Sequence, residues 1–406
     1  MSRRTHLLEM SGLSFSIWLL VASFVSAQTF SSGSTGADGA FNPTCAPTPC
    51  TVTVPIPASG VFNYTTVTIP AGVTVTYTKN AANTPVTILA TGDVTLSGTI
   101  SLAGENGRDA ITSLAPNPPG EGGPGGFRGG FSGASNNTLP PGNGQGPGGG
   151  VYPGQGCSGF GCFETGKAAT YGPPSSSSFV SLLPLFGGSG GSGSQVVSST
   201  QSGYSGAGGG GAILIASSTT ITLAAGSLIN AKGGNGFVFG QTFCSQDGGP
   251  GSGGAVRLVG PHITGTGTLR VIGGGGQCAE SGGAGRIRVE AFLFTGFNPT
   301  VDPSINQFSY SQVFTPGPVT AASNPALINL PTLTISSVGG VAAPTVPTAS
   351  YDTADISLPQ GSPSTVPATV TATNTPIGTT FRVRVIPRNG GVTTVGTGAS
   401  TGTFAS

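Results

Sequence analysis

Acidic side chains are the residues of this chain best suited to chemistry, and they are few. Hydrolysis of a glycosidic bond needs two carboxyl groups that act together on one bond. The 406-residue sequence contains only 13 Asp and Glu, and Asp109, Asp247 and Glu280 are the candidates that stacked strands would bring together. A solvated carboxylate in a turn is the simpler explanation for each of them. We therefore predict a protein without enzymatic activity or cofactor, and keep these three residues as the catalytic candidates of the alternative.

A second group of oxygen-bearing side chains lies in the segment GENGRDAIT, residues 104–112. It resembles one nonapeptide of the calcium-binding repeats, with Glu105 in place of the second glycine. Glu105, Asn106 and Asp109 would then be the calcium ligands. Such a site needs neighbouring copies of the nonapeptide, and the sequence has none, so we expect a turn without a metal ion.

Six cysteines are the third chemical feature, and we expect all of them to form disulfides. Their even number in a chain that we predict to be exported favours bridges. A metal cluster fits less well, because the spacings are not those of zinc ligands. Four residues separate the partners in two of the pairs, which favours local bridges, although six cysteines allow fifteen pairings. The predicted bridges are Cys45–Cys50, Cys157–Cys162 and Cys244–Cys278.

The N-terminus predicts export. Arg3 and Arg4 precede an apolar run over residues 13–25, and small residues before Gln28 form a cleavage pattern. The run is shorter than the roughly 20 residues of a membrane-spanning helix. We expect residues 1–27 to be removed as a signal peptide. The mature protein would then be secreted or at the cell surface, after transit through the periplasm, without an integral membrane segment.

Charge in the mature chain is sparse and balanced. Without residues 1–27, twelve basic and twelve acidic residues remain. Domains that bind nucleic acid carry a basic patch or stripe, and this sequence has no clustered run of basic residues. The sequence therefore excludes nucleic acid as a partner.

A repeated unit predicts the architecture. The segment GTISLAG at 98–104 returns as GTLRVIG at 267–273, and a looser copy, GSLINAKG, lies at 226–233. Apolar and polar residues alternate between the glycines, as in short strands joined by tight corners. The mature chain shows no helical periodicity with caps. We predict an all-β protein built on a short right-handed parallel β-helix of five or six coils, about 25–30 Å long.

Composition divides the mature chain into five regions. Gly, Pro and Ser dominate residues 105–209, which suggests too little buried apolar surface for folding. The first interpretation is therefore a flexible excursion that is dispensable for folding. The aromatic residues between Phe127 and Tyr171 leave open a second interpretation, in which the region packs on the stack. The predicted regions are an N-terminal cap at 28–60, coils at 61–104, the insertion at 105–209, coils and a C-terminal cap at 210–330, and a small β-sandwich-like module at 331–406.

Several of these segments resemble a family. DGAFNPT at 38–44, FNYTTVTIPAG at 62–72 and the GGA and GTL coils resemble uncharacterised, glycine-rich exported bacterial proteins with right-handed parallel β-helices, distantly similar to adhesins and autotransporter passengers. The resemblance covers about residues 35–300 and implies a secreted or surface role, but it transfers no catalytic residue. We expect a non-enzymatic structural or adhesive protein that binds carbohydrate, matrix or cell-surface components. Because many β-helices of this kind are polysaccharide lyases or hydrolases, such an enzyme is the alternative.

Threonine supports a third expectation, a neutral surface-binding protein. The alternating pattern predicts a hydroxyl-lined sheet face that suits carbohydrate, protein or ice. Its outward threonines include Thr66, Thr68, Thr74, Thr76 and Thr78. Binding to ice requires the same threonines on successive coils, and the later coils carry arginines instead. These arginines are Arg257, Arg270, Arg286 and Arg288.

Overall fold

The computed structural model of the protein describes most of the chain between residues 30 and 401. The described residues are 30–109, 115–135, 138–152, 157–158, 161–162, 166–172, 182, 184–195, 203–236, 247–276, 281–301, 332–348, 354–373, 377–390 and 394–401. Within these residues all regular elements are β-strands, numbered below in chain order. The prediction of an all-β protein is confirmed. No helix long and apolar enough to cross a membrane occurs among them.

Three parallel sheets form a β-helix, as predicted. Sheet A contains β3 (Val67–Ile69), β6 (Val94–Leu96), β11 (Thr220–Leu223), β14 (His262–Gly265) and β17 (Leu293–Thr295). Sheet B contains β1 (Cys50–Pro55), β4 (Val73–Thr78), β7 (Thr99–Ser101), β12 (Leu228–Asn230), β15 (Thr268–Arg270) and β18 (Thr300–Val301). Sheet C contains β2 (Val61–Tyr64), β5 (Val86–Ala90), β10 (Ala212–Ser217), β13 (Ala255–Val259) and β16 (Arg286–Glu290). Each coil passes from sheet C to A to B, so these strands make five coils with β1 ahead of them.

The repeated glycine-bounded segments are equivalent positions of successive coils. Thr99 on β7 pairs with Leu228 on β12, and Leu228 pairs with Thr268 on β15. The insertion between β7 and β12 therefore leaves the strand register intact. With neighbouring strands about 4.8 Å apart, the five coils span roughly 25 Å.

The interior of the helix is apolar on all three sides. On sheet A the inward column runs through Val67, Val94, Ile221 and Ile263, all with 0% exposure, and ends at Phe294. β-branched residues suit such columns because they pack well on a pleated surface. Full burial of one such side chain contributes about 1.5–3 kcal/mol, so these columns supply much of the stability of the stack.

Residues ahead of the first coil cover its open end. The Phe41 amide donates to the Thr66 carbonyl at 2.9 Å, and the Phe41 carbonyl accepts from the Thr68 amide at 2.8 Å. The Phe41 ring stacks on Tyr64 with 5.0 Å between centroids. These bonds continue the sheet A ladder by one residue and protect its edge.

Glycine-rich segments from the insertions form a second packed body beside the β-helix, which we call the glycine bundle. Residues 203–211 lie at its centre and form no strand. Every third N–H of this segment donates to the neighbouring segment 127–133: Gly206 donates to the Gly130 carbonyl at 2.9 Å, and Gly209 donates to the Phe127 carbonyl at 2.8 Å. Six segments bond to this central one: 102–108, 117–123, 127–133, 188–194, 233–236 and 249–255. A three-residue repeat without internal hydrogen bonds is that of a polyproline II helix, whose backbone groups all point outward.

Close packing explains why these segments are glycine. A Cβ added to Gly206, Gly208 or Gly209 would lie 2.0 Å from a backbone oxygen of a neighbouring segment. The space between segments therefore admits only hydrogen, as at the axis of the collagen triple helix. For the described residues, the interpretation of 105–209 as a flexible excursion is wrong. Bonds between packed backbones, each worth about 1 kcal/mol net, stabilise the region in place of apolar burial.

The C-terminal module is antiparallel. One sheet contains β19 (Thr332–Val338), β20 (Val341–Ala342) and β21 (Ala368–Thr373), and β22 (Thr380–Val385) forms a hairpin with β23 (Thr394–Ala399). Arg388 at the hairpin tip lies 4.7 Å from the ring centroid of Phe131 in the glycine bundle. The Arg384 side chain donates to the Gly146 carbonyl at 2.7 Å. The hairpin thus contacts the bundle through two arginines.

One predicted disulfide is confirmed, that between Cys45 and Cys50. The backbone of β8 (Cys157–Ser158) pairs antiparallel with β9 (Gly161–Cys162), and the register sets Cys157 opposite Cys162. Their bridge stays a prediction. Cys244, Cys278 and the predicted signal peptide at 1–27 lie outside the described residues.

Candidate binding faces

Two of the three outer faces of the β-helix carry partly exposed polar side chains, and the third is covered over its three middle strands. On sheet C the outward side chains of Leu214 and Val259 are at most 1% exposed and pack against Phe30 and Leu185. The outward side chains of sheets A and B are half-buried to exposed instead. Sheets A and B are therefore the more accessible faces, and on sheet C partly exposed outward side chains remain only on the end strands β2 and β16.

Sheet A presents an unbroken column of threonine. The middle outward position of each strand pairs with its equivalent on the next coil. The five residues of this threonine column are Thr68, Thr95, Thr222, Thr264 and Thr295. All are half-buried or exposed, and strand spacing separates their backbones by about 4.8 Å.

Sheet B presents two adjacent columns of hydroxyl groups on its first three strands, which we call the hydroxyl grid. One column holds Thr51, Thr74 and Thr99, and the other holds Thr53, Thr76 and Ser101. The grid repeats about every 4.8 Å between strands and about every 6.6 Å along a strand. The Thr53 and Thr76 hydroxyls are 2.9 Å apart and hydrogen-bonded, so these two side chains stabilise each other's rotamer.

The arginines of the later coils do not interrupt the threonine column of sheet A. Arg270 lies on β15 of sheet B, beyond the hydroxyl grid, and the other three lie on strands of sheet C. The expectation that arginines replace threonines on successive coils is therefore wrong for sheet A. The threonines expected on one face are also divided: Thr68 lies on sheet A, whereas Thr74 and Thr76 lie on sheet B.

Two of the three acidic catalytic candidates, Asp109 and Asp247, lie in the glycine bundle. Burial raises the pKa of Tyr204, and the charges of Asp109 and Asp247 raise it further, so both carboxyl groups lie near this phenol. Burial also raises the pKa of Asp109, whose Oδ1 is buried and accepts no hydrogen bond from the described residues. Asp247 is only 1% exposed, so a polymer in solvent does not contact it. Glu280 lies outside the described residues.

Glu105 and Asn106, two of the three calcium candidates, bind different partners. Glu105 Oε2 accepts from the Glu121 amide at 3.3 Å, and Asn106 Oδ1 accepts from the Asn235 amide at 2.9 Å. Asn235 Oδ1 in turn accepts from the Gly275 amide at 2.9 Å. Asn106 and Asn235 thus link consecutive insertions. Among the described residues no cluster of three or more His, Cys, Asp or Glu could hold a metal ion.

Sequence reasoning missed the threonine column because two insertions separate its members along the chain. Aligning the coils on the GGA segments at 210–212 and 253–255 gives the register of sheet C, since Ala212 pairs with Ala255. The same count does not give the register of sheet A: Thr222 is ten residues after Ala212, but its partner Thr264 is only nine residues after Ala255. Because the turn between the two strands differs by one residue, counting alone would have set Thr222 beside Gly265.

In comparisons with known proteins, no family model, no curated protein and no solved structure matches the chain.

Proposed function

We propose that this chain is a secreted or cell-surface, non-enzymatic structural and adhesive protein that binds neutral polysaccharide through the hydroxyl grid of sheet B. The observation that carries this proposal is the grid itself. Six hydroxyl-bearing residues on three consecutive strands stand in two regular columns. A rigid, repeating array of this kind suits a ligand that also repeats.

The chemistry of the grid favours an uncharged, hydroxyl-rich ligand. Each hydroxyl both donates and accepts a hydrogen bond, as the hydroxyls of a sugar do. The six grid residues carry no charge, so an anionic polymer gains no ion pair there. Thr51 and Thr53 are exposed, and the other four are half-buried. The stacked strands hold the side chains in place before binding, which lowers the entropy lost on association.

The proposal is tested by co-sedimentation of residues 28–406 with insoluble neutral glucans and chitin, against an anionic polymer as reference. Replacing Thr74, Thr76 and Thr99 with valine keeps shape and strand preference but removes three hydroxyls. With each hydrogen bond worth about 0.5–1.5 kcal/mol, we expect at least a tenfold loss of affinity. Raising the salt concentration should change binding little, because no ion pairs need screening.

The matched control replaces three exposed threonines of β21 in the C-terminal module, Thr369, Thr371 and Thr373, with valine. Equal losses in the two triple variants, or no binding by the unaltered protein, would refute the proposal. Release of soluble sugars during the assay would favour the enzyme instead.

Ice is a second candidate ligand, and the threonine column of sheet A favours it. The column is unbroken over five coils, which fits a lattice that repeats in one direction. Growing ice crystals in the same protein preparation, with Thr222→Val as the variant, separates the two ligands. Faceting of ice that the variant loses would assign sheet A to ice, and unchanged crystal shape would reject it.

A further inference from the structure

The covered face of the β-helix ends in a concentration of arginine. On β13 the central outward residue is Arg257, and on the neighbouring strand β16 the outward residues are Arg286, Arg288 and Glu290. The register sets Arg257 directly opposite Arg288. Two like charges in such a pair destabilise a sheet unless an anion lies between them.

One carboxylate serves two of these arginines. Glu290 Oε1 accepts from Arg257 at 3.0 Å through Nε and lies 2.9 Å from its Nη2, and Arg288 Nε donates to the same oxygen. Arg257 is 1% exposed, so its charge is taken out of water. Burial lowers the pKa of Arg257, while the Glu290 charge opposes this. The carboxylate oxygen is therefore shared, and two guanidinium groups compete for it.

The third arginine has no carboxylate partner among the described residues. Arg286 lies over the ring of Tyr171, 5.3 Å from its centroid, and donates to the backbone carbonyls of Ala284 and Gly285 at 3.3 and 3.0 Å. Three guanidinium groups and one carboxylate leave two positive charges in this corner. The rest of the chain is nearly neutral and has few charges, so this excess is a local property of β13 and β16.

Arg288 is the arginine of this cluster best placed to bind an anion. Its side chain is 26% exposed, and its Nε contacts Glu290, while its Nη atoms make no hydrogen bond to the described residues. A guanidinium binds carboxylate and sulfate in a planar, two-point arrangement, which a second ligand oxygen can complete. Buried positive charge is stabilised only when an anion accompanies it.

We propose that Arg288, backed by Arg257 and Arg286, forms a binding site for an oxyanion, a carboxylate or sulfate group. The site lies on sheet C, apart from the hydroxyl grid on sheet B, so the two proposals are tested independently. Glu290 competes with the ligand for Arg288 in this arrangement. Removing the Glu290 charge should therefore strengthen binding, whereas removing Arg288 should weaken it.

Calorimetric titration of the full mature chain tests the site, with sulfate as a free anion, trigalacturonate as a sugar-borne carboxylate and maltotriose as the neutral reference. For Arg288→Gln we expect about a tenfold or greater loss of affinity, the size of a charge-assisted hydrogen bond. For Glu290→Gln we expect tighter binding. The matched control is Arg382→Gln, an exposed arginine on β22, which should bind as the unaltered protein does.

The outcomes separate the sources of the anion. Binding of both anions supports a general oxyanion site, and binding of trigalacturonate alone supports a site for acidic sugars. If Glu290→Gln does not fold, Arg288→Lys keeps the charge without the two-point geometry and should lose most of the affinity. Equal binding by Arg288→Gln and Arg382→Gln, or weaker binding by folded Glu290→Gln, would overturn the inference.

Discussion

Replacing Gly209 with alanine should destabilise the protein strongly, because this residue lies at the centre of the glycine bundle. The new Cβ would meet the Gly188 carbonyl oxygen at 2.0 Å and its carbon at 2.2 Å. Contacts below 3.0 Å do not occur for real Cβ atoms, so a segment must move by about 1 Å or more. That movement stretches the bonds from Gly209 to Phe127 and from Gly188 to Gly210, now 2.8 and 2.7 Å long.

The expected cost follows from these two effects. Overpacking costs about 1–3 kcal/mol, and weakening two backbone hydrogen bonds costs about 1 kcal/mol each. The free energy of unfolding should fall by about 3–5 kcal/mol, a large part of the roughly 5–15 kcal/mol of a typical domain. At about 2–4 °C per kcal/mol the midpoint of thermal unfolding should fall by roughly 10 °C, measured by circular dichroism.

Gly283→Ala is the control for this variant. Gly283 also lies in the bundle, but a Cβ there has its nearest contact at 3.2 Å, with the Thr170 Cα. Alanine also reduces the conformational entropy of the unfolded chain, which offsets part of the energetic cost of this close contact. We expect a change within about 1 kcal/mol. Equal midpoints for the two variants would show that the bundle does not pack as described.

Two further predictions concern single groups. Asp109→Asn should stabilise the protein at neutral pH. Burial raises the pKa of Asp109 in the folded state. The folded state therefore loses stability as the pH rises from the pKa of the unfolded chain through the higher pKa of the folded state. The variant should lack that loss, and its midpoint advantage should disappear near pH 3; an equal advantage at both pH values would argue against titration of this group. Replacing Cys45 and Cys50 with serine opens the bridge between them and should cost about 2 kcal/mol in urea unfolding; an unchanged midpoint would mean that the loop is held by other contacts.

The coils could be predicted from sequence because their signal is local. Glycines bound each short strand, and the inward positions alternate, as at Ile100 and Leu269, which both lie in the core. The repeat also gave the correct strand equivalence across the insertion. Alternation requires only neighbouring residues, so a single sequence is sufficient to show it.

The glycine bundle could not be predicted by the same reasoning. Its composition suggests disorder when only apolar burial is counted, yet Gly206 and Gly209 are held by backbone bonds to segments far away in the chain. Most residues of these segments are glycine, which has no side chain, so no alternation of apolar and polar residues can reveal how they pack. The cluster of Arg257, Arg288 and Glu290 was missed for a related reason. The pairing of β13 with β16 brings these residues together, and its register depends on the length of the insertion between the two coils.

The central segment of the bundle also determines when folding can finish. Residues 203–211 bond to partners from Leu102 to Ala255, and Asn106 bonds to Asn235, 129 positions later. Contacts between such distant positions form slowly, and the glycine bundle cannot be completed until the chain extends through at least residue 255. Unfolding must break the same interlocked contacts, and its rate rather than its equilibrium would then determine how long the protein lasts. For the secreted or surface role proposed above, slow exchange between the folded and unfolded states would lengthen the lifetime of the protein outside the cell.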